Sequence, residues 1–203
     1  KTTLAQALAR SIDCTFSRIQ FTSDMLPSDI LGVSILSPKT NTFEFRPGPI
    51  FANVVLADEI NRTPPKTQSS LLEAMGEFHV SVDGITNPVP EPFLVLATQN
   101  PIEYEGTYTL PESQLDRFML RIEMGYPPEP DEMQIMVRRG PMRALAKLKP
   151  VLTAAEVTAM QDEVEDIRVD ESVAQYMLDI VRATRDDDHI QLGASPRASG
   201  ALY

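Results

Sequence analysis

The fold of this 203-residue chain is decided by the stretch Asn53-Val54-Val55-Leu56-Ala57-Asp58-Glu59-Ile60-Asn61-Arg62. An apolar run of this length between polar residues predicts a strand that is buried on both faces of a sheet. Asp58 and Glu59 follow at its carboxyl end, which is the edge where open α/β sheets bind ligands. One carboxylate there can hold Mg²⁺, and the other can take a proton from water. The stretch therefore predicts a nucleotide triphosphatase.

The rest of the first 124 residues predicts strands that alternate with helices. Helical spacing, strict alternation and turn residues each indicate particular elements. Such an alternation predicts a mainly parallel sheet with helices on both faces. The predicted elements are a helix over 1–12, a strand over 16–21, a short helix within 24–31, a hairpin arm at 43–46, the strand at 54–58, a helix capped by Thr63 with Pro64 first, a hairpin over 78–89 turning at Asp83-Gly84, a strand over 93–98, a helix near 113–116, and a strand over 118–124.

The composition changes at Tyr126-Pro127-Pro128-Glu129-Pro130, which we interpret as a domain boundary. Beyond it the pattern is helical. Thr153 and Glu156 form a capping-box sequence, and a further amphipathic helix follows Asp170. We therefore predict an α/β core over residues 1–126 and an all-helical domain over 131–203.

Charge and cysteine content exclude several classes of protein. The 18 basic and 29 acidic residues give a net charge of −11, which argues against attraction of the whole surface to nucleic acid or anionic lipid. The apolar runs are too short for a membrane span. Cys14 is the single cysteine, which excludes an internal disulfide and fits a reducing cytoplasm. The chain starts at Lys1 rather than methionine, and we expect that it is preceded by residues not represented here.

Polar residues after the buried strands are candidates for phosphoryl-transfer chemistry. Asp58 would bind Mg²⁺ through water, and Glu59 would polarise the attacking water, since such reactions need mainly positioning and charge. A chance acidic pair is the alternative. Asn100, within Ala97-Thr98-Gln99-Asn100-Pro101, either starts a turn or orients water toward the terminal phosphate.

Basic residues supply further candidates, each with a structural alternative. Lys1-Thr2 matches the end of a P-loop, in which Lys reaches the β- and γ-phosphates and Thr ligates Mg²⁺, although any chain can contain this dipeptide. Arg197 stands in a helical first turn, where a cation opposes the helix dipole unless a phosphate lies nearby. Arg117 either pairs with a neighbouring acid, Asp116 or Glu112, or points to a neighbouring subunit's nucleotide.

In combination these residues resemble the AAA+ ATPases, and more narrowly the MoxR family. The resemblance covers almost the whole chain. It rests on four strings in the expected order, which are Arg18-Ile19-Gln20-Phe21-Thr22 with Leu26-Pro27-Ser28-Asp29, Asp58-Glu59-Ile60-Asn61-Arg62-Thr63-Pro64-Pro65-Lys66, Ala97-Thr98-Gln99-Asn100-Pro101, and Gly193-Ala194-Ser195-Pro196-Arg197.

The resemblance implies a P-loop NTPase fold of the AAA+ type, with a three-layer parallel sheet core and a helical lid beyond about residue 130. It implies ATP and Mg²⁺ as cofactors. Residues 32–49 would be an insertion and 78–89 the hairpin before sensor 1. The implied roles are nucleotide binding by Lys1, Thr2, Thr3 and Arg197, Mg²⁺ ligation by Thr2 and Asp58, general base for Glu59, sensor 1 for Asn100, arginine finger for Arg117 and sensor 2 for Arg197.

The resemblance also implies a chaperone-like remodelling or maturation factor that forms rings, commonly hexamers, and acts on proteins with von Willebrand A-type domains. The alternatives are a nucleic-acid motor, a magnesium-chelatase-type motor subunit, and a nucleotide-gated scaffold without turnover. The hairpin over 78–89 carries no Lys or Arg, which disfavours nucleic acid as a partner. The glycine-rich half of the P-loop is not among these residues, so we expect the 203-residue chain alone to bind ATP poorly.

Overall fold

The computed structural model describes residues 1–99, 107–137 and 145–203. Within these ranges, strands and helices alternate up to β7, and helices follow. The elements are α1 Thr2–Ser11, β1 Phe16–Gln20, α2 Pro27–Leu31, β2 Gly32–Ser37, β3 Thr42–Pro47, β4 Val54–Asp58, a 3₁₀ helix Ile60–Arg62, α3 Pro65–Glu77, β5 His79–Val82, β6 Ile85–Pro88, β7 Leu94–Ala97, α4 Glu112–Leu115, α5 Glu129–Val137, α6 Ala154–Glu165, α7 Glu171–Asp186 and α8 Pro196–Leu202.

A parallel three-stranded sheet in the order β1-β4-β7 forms the centre of the fold. Its register pairs Gln20 with Asp58, and Ala57 with Ala97. Residues 54–57 of the central strand are at most 1% exposed. The sequence prediction of a strand buried on both faces is therefore confirmed, as is the parallel arrangement with flanking helices.

Two hairpins accompany the sheet. β5 and β6 pair across Asp83 and Gly84, both of which have positive φ, as the Asp-Gly sequence predicts for a tight turn. β2 and β3 pair from Gly32↔Pro47 to Ser37↔Thr42. At the base of this hairpin Gly32 has φ 99°, and a side chain on it would meet the backbone of Arg46 and Gly48. The base is therefore closely packed, backbone against backbone.

The start of α3 differs by one residue from the prediction. Pro64 occupies the N-cap position and Pro65 is the first helical residue. Thr63 instead ends the 3₁₀ helix in an extended conformation, and its Oγ1 is buried without a hydrogen-bond partner among the described residues. The predicted cap by Thr63 is therefore wrong, because the short helix before it takes this residue.

The predicted strand over residues 118–124 is wrong. This segment has no regular secondary structure and pairs with no strand among the described residues. Its apolar side chains are mostly exposed, with Met119 at 80%, Leu120 at 73% and Ile122 at 75%. Alternating apolar residues form a strand only where a partner supplies the hydrogen bonds. The helix predicted just before it is confirmed as α4.

The chain divides into two compact units. The first comprises Lys1–Leu110 and Met124–Met160 and contains the central sheet. The second comprises Pro111–Glu123 and Gln161–Tyr203. In the second unit Val181 is buried at 1% exposure, and the Ser195 hydroxyl accepts from Ala198 N and donates to Asp116 Oδ1. The division into a core over 1–126 and a lid over 131–203 stays a prediction.

No helix within the described ranges has both the length and the apolar character needed to cross a bilayer.

Candidate functional site

The carboxyl ends of the three parallel strands meet at one edge of the sheet. β4 ends at Asp58 and is followed directly by Glu59. Gln20 lies opposite Asp58 in the register, and Thr98 follows the last residue of β7. The edge therefore carries two acids with polar side chains on both sides of them.

Asp58 is held at both of its carboxylate oxygens. Oδ1 accepts a hydrogen bond from the Thr98 hydroxyl at 2.6 Å. Oδ2 accepts from Arg18 Nη2 at 2.5 Å and from Arg18 Nε at 3.1 Å. The Asp58 side chain is 17% exposed, whereas that of Arg18 is 48% exposed. The carboxylate is thus held on one side by a buried hydroxyl and on the other by a cation that reaches solvent.

The environment of Asp58 keeps it ionised. Burial raises its pKa, but the hydrogen bond from Thr98, the hydrogen bond and charge of Arg18, and the charge of Lys1 together bring that pKa below its ordinary value. A carboxylate that is ionised at neutral pH is the type of ligand that Mg²⁺ prefers. The positive charge of Lys1 contributes to this lowering of the Asp58 pKa.

Glu59 adopts a left-handed backbone conformation, with φ 58° and ψ 47°. This region is uncommon for residues other than glycine, and it persists only where the surrounding contacts hold the backbone in place. Its N–H donates to the Thr98 hydroxyl at 3.0 Å. Its Oε2 accepts from Gln20 Nε2 at 3.0 Å and from Arg62 Nη1 at 3.1 Å. Thr98 therefore contacts both acids, as a donor to one and an acceptor from the other.

The turn after Glu59 is held in place by the buried side-chain amide of Gln68. Gln68 of α3 is completely buried, and its Nε2 donates to the carbonyl oxygens of Ile60, Thr63 and Tyr108. Ile60 N also donates to the Thr98 carbonyl at 3.1 Å. The left-handed conformation of Glu59 is thereby stabilised by contacts on either side of it.

The residues predicted from sequence are divided between the two units. Asp58, Glu59 and Lys1 lie in the first unit, with Thr2 and Thr3 in the first turn of α1. Arg117, just after α4, and Arg197, in the first turn of α8, belong to the second unit. Asn100 lies outside the described residues.

Sequence reasoning missed four side chains that contact the acids, which are those of Arg18, Gln20, Arg62 and Thr98. Arg18 and Gln20 alternate on β1 and share the face that meets Asp58. Exposed polar residues at positions 18 and 20, on either side of the buried Ile19, were the available signal. Thr98 follows β7 directly, as Asp58 ends β4, and this position was a signal of the same kind, although β7 is only partly buried and not fully buried as predicted.

Comparison with known proteins agrees with this arrangement. Residues 1–120 match the model of the "ATPase family associated with various cellular activities (AAA)". The chain is 53% identical over 202 residues to the uncharacterised protein YeaC of Bacillus subtilis, covering 100% of this chain and 63% of that protein. It is 44% identical over 208 residues to Chaperone MoxR1 of Mycobacterium tuberculosis, covering 98% of this chain and 55% of that protein.

A solved structure is also similar. A candidate ATPase from Cytophaga hutchinsonii superposes with a TM-score of 0.88 at 41% sequence identity, covering 100% of this chain and 64% of that one. This chain thus spans between about half and two thirds of the length of the two relatives and the solved structure named above. A parallel sheet with flanking helices, ending in paired acids on its central strand, defines the AAA+ class of P-loop nucleotide-binding folds. The chain belongs to the MoxR family of AAA+ ATPases.

Proposed function

We propose that the protein hydrolyses ATP and uses the energy to remodel or mature partner proteins in the manner of a chaperone. The observation that carries the proposal is the anchoring of Asp58 and Glu59 by one hydroxyl, that of Thr98, at the carboxyl edge of the sheet. Such an arrangement holds a metal-binding acid and a proton-accepting acid in a fixed relation. Phosphoryl transfer depends mainly on positioning and charge of this kind.

The residues at this edge fit a magnesium–nucleotide complex. The lowered pKa of Asp58 keeps it anionic, and the positive charge of Lys1 acts at the same place. Asp58 and the Thr2 hydroxyl would hold Mg²⁺, and Lys1, Thr2 and Thr3 would contact the phosphates. When bound, Mg²⁺ neutralises charge that develops on the phosphate oxygens.

The remaining roles concern water and charge. Glu59 would accept a proton from the attacking water, and Asn100 would orient that water. Arg197 would contact the nucleotide of its own subunit, whereas Arg117 would contact that of a neighbouring subunit in a ring. Hydrolysis would then require assembly, which we expect to be a homo-oligomeric ring, commonly a hexamer.

The clients are proposed to be proteins, among them proteins with von Willebrand A-type domains. The similarity to a relative named Chaperone MoxR1 supports a client-remodelling role. The net charge of −11 supports a protein client over nucleic acid.

The test of the proposal is Glu59→Gln in the intact protein. Removing the proton acceptor is expected to leave ATP binding unchanged and to reduce phosphate release by about 10²–10⁴-fold. Glu73→Gln on the exposed face of α3 is the matched control and is expected to turn over normally. Normal hydrolysis by Glu59→Gln would exclude Glu59 as the base. No phosphate release from the wild-type assembly would instead indicate a nucleotide-gated scaffold.

Arg117→Ala tests action between subunits. Because arginine fingers stabilise only the transition state, we expect unchanged ATP affinity and a turnover lower by about 10³-fold or more. Arg121→Ala is the control, since that side chain is 87% exposed and pairs with Glu123. Mixing Arg117→Ala with Glu59→Gln subunits should restore some hydrolysis if the arginine acts on its neighbour's nucleotide. Turnover of Arg117→Ala at the wild-type rate would remove Arg117 from the mechanism.

A further inference from the structure

We propose that Arg18 is an exchangeable counter-ion of Asp58, which competes with Mg²⁺ for this carboxylate and thereby sets the Mg²⁺ concentration at which nucleotide binds. The inference rests on the proposed function, in which Asp58 holds the metal. It assigns to Arg18 a positioning role at that site.

Three of the roughly four acceptor positions of the Asp58 carboxylate are occupied, both on Oδ2 and one on Oδ1. A carboxylate oxygen accepts at about two lone-pair positions. Arg18 Nε and Nη2 both donate to Oδ2, at 3.1 and 2.5 Å, while Oδ1 accepts from Thr98. A cation or its bound water that approaches Oδ2 must therefore displace at least one of the two Arg18 contacts.

Charge makes the competition direct. A guanidinium and Mg²⁺ that share one carboxylate repel each other across a few ångströms, and this repulsion is strong where water is partly excluded. Asp58, at 17% exposure, is such a place. Thr98 carries no charge, so its hydrogen bond can persist while Arg18 is displaced.

The Arg18 guanidinium can move away from Asp58 and still have hydrogen-bond partners. Its side chain is 48% exposed, so the guanidinium regains water when it swings outward. Nη2 also donates to Gln20 Oε1 at 2.9 Å, which gives the displaced side chain an acceptor on the same strand. A partly exposed ion pair of this kind is worth little free energy, so the exchange is reversible.

The chain provides a matched control pair. Arg62 and Glu59 form an ion pair of similar exposure, at 47% and 28%, on the adjacent acid. Glu59 is not a proposed metal ligand. Removing Arg62 therefore changes the local charge by the same amount as removing Arg18 but does not free a position on Asp58.

The experiment measures the free Mg²⁺ concentration that gives half-maximal binding of a fluorescent non-hydrolysable ATP analogue to the intact protein. For Arg18→Met we expect this concentration to fall about fivefold, which is the upper range for a partly exposed pair. Arg62→Met should stay within about twofold of wild type, within the same range of pair strengths. A second readout is the thermal midpoint, where Mg²⁺ plus the analogue should stabilise Arg18→Met more than wild type, relative to EDTA.

The outcomes separate this inference from the proposed function. An unchanged or higher Mg²⁺ requirement in Arg18→Met overturns the inference, as does an equal decrease in Arg62→Met. If Asp58→Asn keeps the wild-type Mg²⁺ dependence, the proposed function itself fails. Should Arg18→Met not fold, Arg18→Gln is measured in its place with the same expected decrease, and a requirement no lower than wild type overturns the inference.

Discussion

Asn53 and Asp58 stand at opposite ends of the central strand and are held in different ways. Asn53 is 8% exposed, and its Oδ1 accepts from the backbone and hydroxyl of Thr15 at 3.1 and 2.7 Å. Its Nδ2 donates to the carbonyl oxygens of Glu91 and Pro92 at 3.0 and 3.1 Å. Every donor and acceptor of this neutral side chain is used by the protein itself.

The Asp58 end is charged and reaches solvent through Arg18 and Arg62. Its hydrogen bonds include donors that water or a ligand can replace. The comparison shows two kinds of contact on one strand. At the amino end, neutral groups of the protein satisfy Asn53 completely, whereas at the carboxyl end the charged partners of Asp58 can be replaced by water or a ligand. We therefore expect Asn53 to contribute mainly to the stability of the fold and Asp58 mainly to ligand binding.

The largest effect is expected from substitution of Asn53, at the amino end of the strand. Asn53→Leu should reduce the free energy of unfolding by about 3 kcal/mol, because three backbone groups in two segments, Thr15 N–H and the carbonyls of Glu91 and Pro92, lose their partner. Urea denaturation followed by circular dichroism measures this. Asn87→Leu on β6, whose side chain donates locally to Ile85, is the control and should change stability by no more than about 0.5 kcal/mol. A loss below about 1 kcal/mol for Asn53→Leu would show that the two ends do not differ in the way described.

An intermediate effect is expected from substitution of Thr98, which contributes both to stability and to the positions of the two acids. Thr98→Val removes the donor to Asp58 and the acceptor for Glu59 N–H. We expect a loss of about 1–2 kcal/mol in the free energy of unfolding, together with reduced ATP turnover. Thr98→Ser keeps the hydroxyl and should restore turnover. Wild-type turnover in Thr98→Val would show that the shared hydroxyl does not position the acids.

The smallest effect concerns pH. The folded-state pKa of Asp58 is lowered from 3.8, so its carboxylate stabilises the folded state fully above that value. This contribution is lost as the pH falls below 3.8 and through the folded-state pKa. The difference in unfolding free energy between wild type and Asp58→Asn should therefore shrink on acidification, whereas that between wild type and Asn53→Leu should stay constant. If the destabilisation by Asp58→Asn and that by Asn53→Leu changed with pH in the same way, the proposed contrast between Asp58 and Asn53 would be contradicted.

Local sequence patterns were sufficient for much of the fold. The buried strand β4, the Asp83-Gly84 turn and the Thr153–Glu156 capping box are all present, and in the last Thr153 N and Oγ1 both donate to Glu156. Each of these depends on residues that are close in the chain. The paired acids were also found from their position after a strand.

What the sequence did not reveal depends on contacts between distant segments. Arg18 meets Asp58 only because β1 pairs with β4 in one register, and a shift by one residue would turn Arg18 to the other face. Asn53 is a hub only because residues 15, 91 and 92 converge on it. The strand predicted over residues 118–124 is absent for a related reason. Its alternating pattern is local, but a strand also needs a distant segment to pair with.

The β2–β3 hairpin offers a place to attach a spectroscopic probe. Its base is fixed by Gly32, while Lys39 at its tip is exposed, so a dye on Lys39→Cys would report on the surroundings without disturbing the fold. Partial burial and nearby Asp13 raise the pKa of the Cys14 thiol, which slows its reaction with maleimides. A surface thiol on the hairpin would then be modified first, and fluorescence anisotropy of the labelled protein would test the proposed ring assembly without mutation of Cys14.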